Sequence, residues 1–207
     1  MKKNSFIIII SLLVLFSCTE GKKQETELFK PEITKITTLF DEESFPDEQH
    51  EQLLNEINIC HSLGNDSIIN GVFPCSPKFF KFYTFNHKRD LENAFLLQVR
   101  KGVSNYPYRR LLIFTRENGE LVLMNGIRGY LVEKRSTANE IDDLVVALVD
   151  NIGGHFERYD VLIRYNEGKY HYVEALGDLQ GAFEDENLKK EATKQIGERI
   201  KEKELIF

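Results

Sequence analysis

The sequence contains no tryptophan, and it lacks the short motifs that mark common nucleophilic and metal-dependent enzymes. None of the patterns GxSxG, SxxK or HExxH occurs downstream of the apolar N-terminal run, and no glycine-rich phosphate loop occurs there either. The missing tryptophan also counts against sugar recognition by aromatic side chains. We therefore assign no catalytic residue, metal site or cofactor from the sequence, and these absences favour binding over catalysis.

The chain also lacks a hydrophobic run long enough to span a membrane. Its apolar N-terminal segment, FIIIISLLVLF, covers the eleven residues from Phe6 to Phe16 and follows the basic residues Lys2 and Lys3. A helix of that length rises about 16 Å, roughly half of the ~30 Å hydrocarbon core of a bilayer. A basic start followed by a short apolar core is typical of an export signal.

The apolar segment ends in Leu15, Phe16, Ser17 and Cys18. This ending resembles the lipobox of bacterial lipoproteins, in which an aliphatic and a small residue precede the cysteine that becomes lipidated, although Phe16 is bulkier than the usual residue. The resemblance covers only the first eighteen residues. It implies a signal peptide at 1–17 and attachment to a membrane through lipid on Cys18. An ordinary secretory signal with a coincidental cysteine is the alternative.

The same resemblance gives an expected location. Lipoproteins that stay at an inner membrane often carry Asp after the lipidated cysteine, whereas Thr19 stands there in this chain. Delivery to the outer membrane is therefore favoured over retention at the inner one. The polar residues 18–31 predict a flexible tether, and residues 32–207 have the length of one domain with a substantial core.

Basic residues are in the minority. The chain has 27 Lys and Arg against 33 Asp and Glu, a net charge of −6, and removal of residues 1–17 takes away two lysines and no acid. The mature chain would then carry about −8. A nucleic-acid site needs a basic face that displaces counterions from the phosphates. The charge balance and the exported location together exclude nucleic acid as a partner.

With Cys18 lipidated, Cys60 and Cys75 are the remaining cysteines. Outside the cytoplasm such a pair favours a disulfide. Closing the loop of about fifteen residues between the two cysteines would stabilise the fold by roughly 3 kcal/mol in the chain-entropy model. Two buried free thiols are the alternative.

The pattern of residues 32–207 predicts an α+β fold: an antiparallel β-meander of six to eight strands, with an N-terminal helix and a C-terminal amphipathic helix packed on it. The N-terminal helix is expected over 47–62, with Asp47 as its N-cap. In the C-terminal helix, an apolar stripe is expected to face the sheet. The stripe consists of Leu188, Ala192, Ile196 and Ile200.

Short β-branched and aromatic runs separated by turn signals predict the strands. The predicted strands are residues 78–85, 93–100, 110–116, 121–125, 129–133, 144–149, 159–165 and 170–175. Asn118-Gly119 predicts a tight hairpin turn, and residues 166–169 predict a second turn. The run LVVALV at 144–149 predicts a central strand buried on both faces.

Four tyrosines crowd the second predicted hairpin: Tyr159, Tyr165, Tyr170 and Tyr172. Exposed aromatic side chains can anchor a protein or a sugar, so these four are the candidate binding residues. Cross-strand pairing that only stabilises the hairpin is the alternative.

His155, Glu157, His171 and Glu174 come from the last predicted strands and could converge on a metal or acid-base site. Strict strand alternation places His171 and Glu174 on opposite faces of the sheet, which argues against such a site.

The sequence thus favours a membrane-anchored envelope lipoprotein that binds or assembles with another envelope component, a protein partner included, without catalysis. A small envelope hydrolase acting on glycan, peptide or lipid is the first alternative. The second is a small-ligand carrier, which requires a cavity between the sheet and the C-terminal helix.

Overall fold

The structure is a computed structural model, and it describes residues 29–37, 39–62, 67–86, 91–103 and 108–207. The predicted signal peptide, Cys18 and most of the predicted tether lie outside these residues. The described elements are, in chain order, β1 (Ile33–Lys35), α1 (Glu48–Glu56), β2 (Phe80–Thr84), β3 (Ala94–Val99), β4 (Arg110–Glu117), β5 (Glu120–Arg135), β6 (Asp143–Ile152), β7 (His155–Asn166), β8 (Lys169–Asp178), β9 (Gly181–Ala182) and α2 (Glu186–Lys203). No helix within the described residues is long and apolar enough to cross a membrane.

Strands β2 to β9 hydrogen-bond in sequential order, and β1 pairs with β5. All these pairings are antiparallel. The predicted antiparallel meander within an α+β fold is therefore confirmed. The predicted strand number is too low, because the described residues form nine strands. Strands β1 and β9 were not predicted, because they have only three and two residues, too few to show an alternating pattern.

Strand β5 is a single sixteen-residue strand, whereas the sequence predicts two separate strands in this region. Its first half pairs with β4 and its second half pairs with β6, and the change of partner falls at Gly129. Gly129 has a φ of +157°, and a Cβ there would collide with the backbone carbonyl of Ala147. Only glycine fits this close approach of two backbones, so the chain bends without ending the strand.

The strands bury two separate hydrophobic clusters. The first lies among β2 to β8 and includes residues of α2 and Leu205, which follows α2. The second lies under α1 and contains the aromatic side chains of β2, β3 and β4, among them Phe80, Phe95 and Phe114. Residues 144–148 of β6 are all buried, which confirms the prediction of a strand covered on both faces.

Helix α1 begins where predicted, with the Asp47 side chain accepting a hydrogen bond from the Gln49 backbone N–H at 3.0 Å. It is not the first element, because β1 precedes it, and it spans nine residues instead of the sixteen expected. The prediction of an N-terminal helix over 47–62 is therefore wrong in its order and its end. The helix stops because Asn58 adopts a left-handed φ of +52°, a conformation that asparagine tolerates better than most residues.

The turn after α1 brings Cys60 to Cys75. Their sulfur atoms are at bonding distance and their Cα atoms lie 5.1 Å apart, within the range of a disulfide. The predicted pairing is confirmed. The bridge ties the end of the α1 segment to the residues that lead into β2.

Helix α2 begins after the N-cap Asp185, whose carboxylate accepts hydrogen bonds from the backbone N–H groups of Asn187 and Leu188. The predicted apolar stripe is only partly buried. Ile196 and Ile200 lie in the first core cluster, but the Leu188 side chain is 65% exposed. The first turn of α2 therefore extends beyond the apolar surface that the sheet offers.

Candidate binding cleft

An open cleft of about 700 Å³ lies between the start of β8, helix α2 and the C-terminal residues. Tyr170 and Tyr172 line it from β8, Asn125 lines it from β5, and Ile206 and Phe207 close one end. The volume falls within the ~300–1,000 Å³ that small-molecule sites usually have. Two of the four tyrosines singled out in the sequence thus lie at this cleft.

Tyr170 is the fixed part of the cleft wall. Its side chain is 2% exposed, and its hydroxyl donates to the backbone oxygen of Asp142 at 2.7 Å. The ring contacts Phe85 and Tyr165 edge-on, with centroid distances of 5.8 and 5.9 Å. Burial raises the pKa of the Tyr170 phenol well above its ordinary value. The phenol therefore remains neutral, and its role at the cleft is to hold shape.

Tyr172 connects β8 to α2. Its hydroxyl donates to the backbone oxygen of Thr193 at 2.9 Å, and the Thr193 hydroxyl accepts from the Ala175 N–H at 3.1 Å. Burial raises the pKa of Tyr172 to about 12. The ring lies so close to Gly197 that a Cβ at that position would be 3.2 Å from Tyr172 Cε1. Gly197 therefore lets the helix approach the tyrosine ring.

The C-terminal residues close the cleft by adding to the sheet. Helix α2 ends at Lys203, and its C-cap Glu204 has a left-handed φ of +48° that turns the chain back. The backbone groups of Gly126 and Phe207 then hydrogen-bond to each other at 2.7 and 2.9 Å, and the Arg128 N–H donates to the Leu205 oxygen at 2.9 Å. This pairing fixes Ile206 and Phe207 beside β5. These residues were not predicted, although three apolar residues after a highly charged helix indicate a segment that folds back onto the protein.

The rim of the cleft is basic. Lys169, Lys194 and Lys201 line it together with His171 and Glu198, and all five side chains are exposed. Three lysines against one glutamate give a positive rim in a chain whose net charge is negative. Exposed cations around an aromatic wall favour an anionic ligand that also has apolar surface.

The remaining two predicted tyrosines do not line the cleft. Tyr165 pairs with Tyr170 across the β7–β8 hairpin, and its ring lies behind that of Tyr170, beside Phe85. Tyr159 is half-buried toward the other end of β7, where its hydroxyl contacts the Glu157 carboxylate. The tyrosine cluster of the sequence is thus divided by the fold into two cleft residues and two structural ones.

The histidine and glutamate grouping does not form a site. His155 begins β7 and His171 pairs with Arg164, nine residues further along that strand, which is about 30 Å at ~3.3 Å per residue. Within the residues that the structure describes, no group of three or more His, Cys, Asp or Glu side chains could hold a metal ion.

One detail of that grouping was predicted wrongly. A bulge at Val173 shifts the register, so that Tyr172 pairs with Ile163 and Glu174 pairs with Leu162. Glu174 therefore lies on the same face as His171, not on the opposite one. Its carboxylate forms an ion pair with Lys189 of α2 at 2.7 Å and so joins helix to sheet.

In comparisons with known proteins, no family model, no curated protein and no solved structure matches this chain. The function therefore has to be inferred from the geometry of the cleft and from the N-terminal sequence.

Proposed function

We propose that the protein is a lipid-anchored component of the cell envelope that binds a small anionic ligand in the β8–α2 cleft and performs no reaction on it. The observation that carries this proposal is the combination of a basic rim with an aromatic wall held by hydrogen bonds. A wall that is already fixed before the ligand arrives costs little ordering entropy on binding.

The location of the cleft supports a small ligand over a flat protein interface. It lies between the sheet and the C-terminal helix, where the carrier interpretation requires a cavity. The two cleft phenols donate to backbone oxygens and have raised pKa values. The buried Tyr170 ring holds the shape of the wall and the half-buried Tyr172 ring offers contact surface, and neither neutral phenol is a proton-transfer group near neutral pH.

Binding can be tested with anilinonaphthalene sulfonate, an anionic aromatic dye that fluoresces in apolar surroundings. We expect saturable binding at one site, and we expect Lys201→Glu to weaken it about tenfold, which corresponds to ~1.4 kcal/mol. Lys203→Glu is the matched control, because Lys203 is also exposed in the last turn of α2 but does not line the cleft. Thermal unfolding by circular dichroism would establish that both variants are folded.

Equal affinity for Lys201→Glu and Lys203→Glu would contradict the cleft as the site, and so would a dye signal that does not saturate. Binding that rises with salt would contradict an anionic ligand, because screening weakens attraction between opposite charges.

The anchor is tested separately. The ending Leu15, Phe16, Ser17 and Cys18 supports lipidation, and Thr19 supports outer-membrane delivery. We expect Cys18→Ser to move the protein out of the detergent phase in a phase-partition assay on cells that express the full chain. Retention of the variant in the detergent phase would refute the lipid anchor. It would not contradict ligand binding in the cleft.

A further inference from the structure

Arg128, near the middle of β5, is a partly buried cation without an acidic partner. Its Nε is shielded from solvent and bonds to no atom of the residues that the structure describes. Within the same described ranges, no carboxylate forms an ion pair with the Arg128 guanidinium. Five other described arginines do have a carboxylate oxygen at 2.5–2.8 Å: Arg116, Arg135, Arg158, Arg164 and Arg199.

The strand register gives Arg128 a like charge instead of a counter-charge. Arg128 lies directly opposite Arg110 of β4, and on its other side its backbone N–H donates to the oxygen of Leu205. Arg110 has contacts of its own, whereas Arg128 has no acidic group to offset its charge among the described residues. A partly buried charge without a partner costs stability. Such a local conflict is typical of a residue that is kept for binding.

An exposed aromatic ring lies on the same face of β5 as Arg128. Side chains two positions apart on a strand point to one face, so Arg128 shares its face with position 126. Gly126 has no side chain, and the Phe207 ring takes that space, because a Cβ on Gly126 would be 2.3 Å from Phe207 Cζ. The Phe207 side chain is 52% exposed, and the Arg110 guanidinium lies 5.8 Å from its ring centroid. Cationic and apolar surfaces are therefore neighbours on this face.

This face of β5 is not the one that lines the β8–α2 cleft. Asn125 and Ile127 point to the opposite face, where Asn125 lines the cleft and Ile127 belongs to the first core cluster. Arg110 and Arg128 do not line the cleft, whereas Phe207 does. Phe207 therefore borders the cleft on one side and the two arginines on the other.

We propose that Arg128 binds the carboxylate or phosphate group of a small ligand whose apolar part contacts the Phe207 ring. This anion site is separate from the proposed cleft site. The Arg128 Nε is buried, so the oxyanion approaches the Nη groups at the end of the side chain, whose planar fork matches the oxygens of a carboxylate or phosphate. The bound anion supplies the negative charge that the described neighbours of Arg128 do not.

The first test follows the Nε–H signal of Arg128 by heteronuclear NMR while inorganic phosphate or phenyl phosphate is added at constant ionic strength. The protein is the chain from residue 18 onward with Cys18→Ser, which keeps every described residue. The loss of one signal in Arg128→Met identifies the signal of Arg128. We expect a saturable shift with both anions, and roughly threefold tighter binding of phenyl phosphate, because its ring contacts Phe207.

Arg116 is the internal control for this titration. It lies on the same face of β4 as Arg110, six residues away and so about 20 Å along the strand. Its Nε donates to the Glu92 oxygen at 3.0 Å, and its Nη groups donate to the Glu56 carboxylate at 2.6 and 3.0 Å. Because its donors are already bonded, we expect its Nε–H signal not to move.

Thermal unfolding gives a second readout. In a buffer without carboxylate or phosphate, Arg128→Met should raise the melting temperature by about 2 °C, because it removes the uncompensated charge and keeps an apolar chain of similar length. Arg116→Met is the matched control and should lower the melting temperature, because it leaves Glu56 without its partner. Added phosphate should then raise the melting temperature of the parent and of Lys201→Glu, but not that of Arg128→Met.

An Arg128 signal that moves no more than that of Arg116 would overturn the proposal. A phosphate response that is lost in Lys201→Glu and kept in Arg128→Met would also overturn it, because the anion would then lie in the cleft. A melting temperature that falls as much in Arg128→Met as in Arg116→Met would show that Arg128 stabilises the fold by itself, against the proposal. The dye titration decides ligand binding in the cleft independently of these results.

Discussion

The Asn125 side chain satisfies both backbone polar groups of Tyr170. Its Nδ2 donates to the Tyr170 oxygen at 3.3 Å, and its Oδ1 accepts from the Tyr170 N–H at 2.8 Å. The two residues are 45 positions apart, on β5 and β8, and both are buried. One amide thus replaces a strand partner at the start of β8 and fixes the tyrosine that forms the cleft wall.

The first prediction concerns this amide. Asn125→Ala should lower the free energy of unfolding by about 2–3 kcal/mol, because it leaves a buried N–H and a buried carbonyl without their partner. Urea unfolding followed by circular dichroism measures the change. Asn139→Ala, at an exposed position, should shift it by less than about 0.5 kcal/mol. A similar loss in both variants would show that the Asn125 contact contributes nothing specific.

The second prediction concerns alkaline pH. Burial raises the pKa of Tyr172 to about 12 and raises the pKa of Tyr170 well above its ordinary value. The unfolded chain ionises its tyrosines near pH 10, so these two groups contribute stability below that pH and lose it as the pH rises toward 12. Unfolding free energy should therefore fall steeply above pH 10.

Tyr172→Phe isolates one part of that dependence. The variant removes the Tyr172 phenol and its hydrogen bond to Thr193, so it should be less stable at pH 7 by about 1 kcal/mol. It should also lose less stability than the parent between pH 10 and 12. An unchanged slope in that range, measured by urea unfolding at successive pH values, would refute the assignment of the slope to Tyr172.

The third prediction concerns the disulfide. The purified protein should show no reactive thiol at Cys60 or Cys75 until it is reduced, even in denaturant. Replacing both residues by serine should destabilise the fold by about 3 kcal/mol, the chain-entropy value for a loop of this length. Because the bridge lies beside α1 and the second core cluster, hydrogen exchange should accelerate most in α1. Uniform acceleration across β6 to β8 would contradict this local role.

Much of this fold follows from local sequence signals. The run at 144–149 specifies the buried strand β6, Asp47 caps α1, and Asn118 takes the φ of +52° that its turn with Gly119 requires. Each of these features depends on residues that are neighbours in the chain, which is why a single sequence predicts them.

The cleft could be predicted only in part. Tyr170 and Tyr172 have a visible signal, a concentration of aromatic residues in one hairpin. Gly197 and Asn125 have none, because their roles arise from contacts with residues 25 and 45 positions away. The bulge at Val173 also has no local signature, and it reversed the expected face of Glu174. Contacts across the fold decide these features, and sequence spacing does not encode them.

The bend in β5 gives the fourth prediction, since its support is equally remote in sequence. Gln98 of β3 is 2% exposed and makes three hydrogen bonds where β5 changes partner. Its Nε2 donates to the oxygens of Arg110 and Gly129 at 2.8 and 3.2 Å, and its Oε1 accepts from the Leu131 N–H at 3.0 Å. The Gln98 side chain thus supplies the hydrogen bonds that β4 and β5 cannot make to each other at the bend.

Gln98→Leu keeps the side-chain volume but removes these bonds, so it should cost at least about 3 kcal/mol from the buried groups left without partners. Gln195→Leu is the matched control, because Gln195 is exposed on α2 and bonds only locally, to Glu191. It should change the unfolding free energy by less than about 0.5 kcal/mol. If the free energy of unfolding of Gln98→Leu is no lower than that of Gln195→Leu, the bend at Gly129 is held by packing alone, and the hydrogen bonds of Gln98 do not stabilise it.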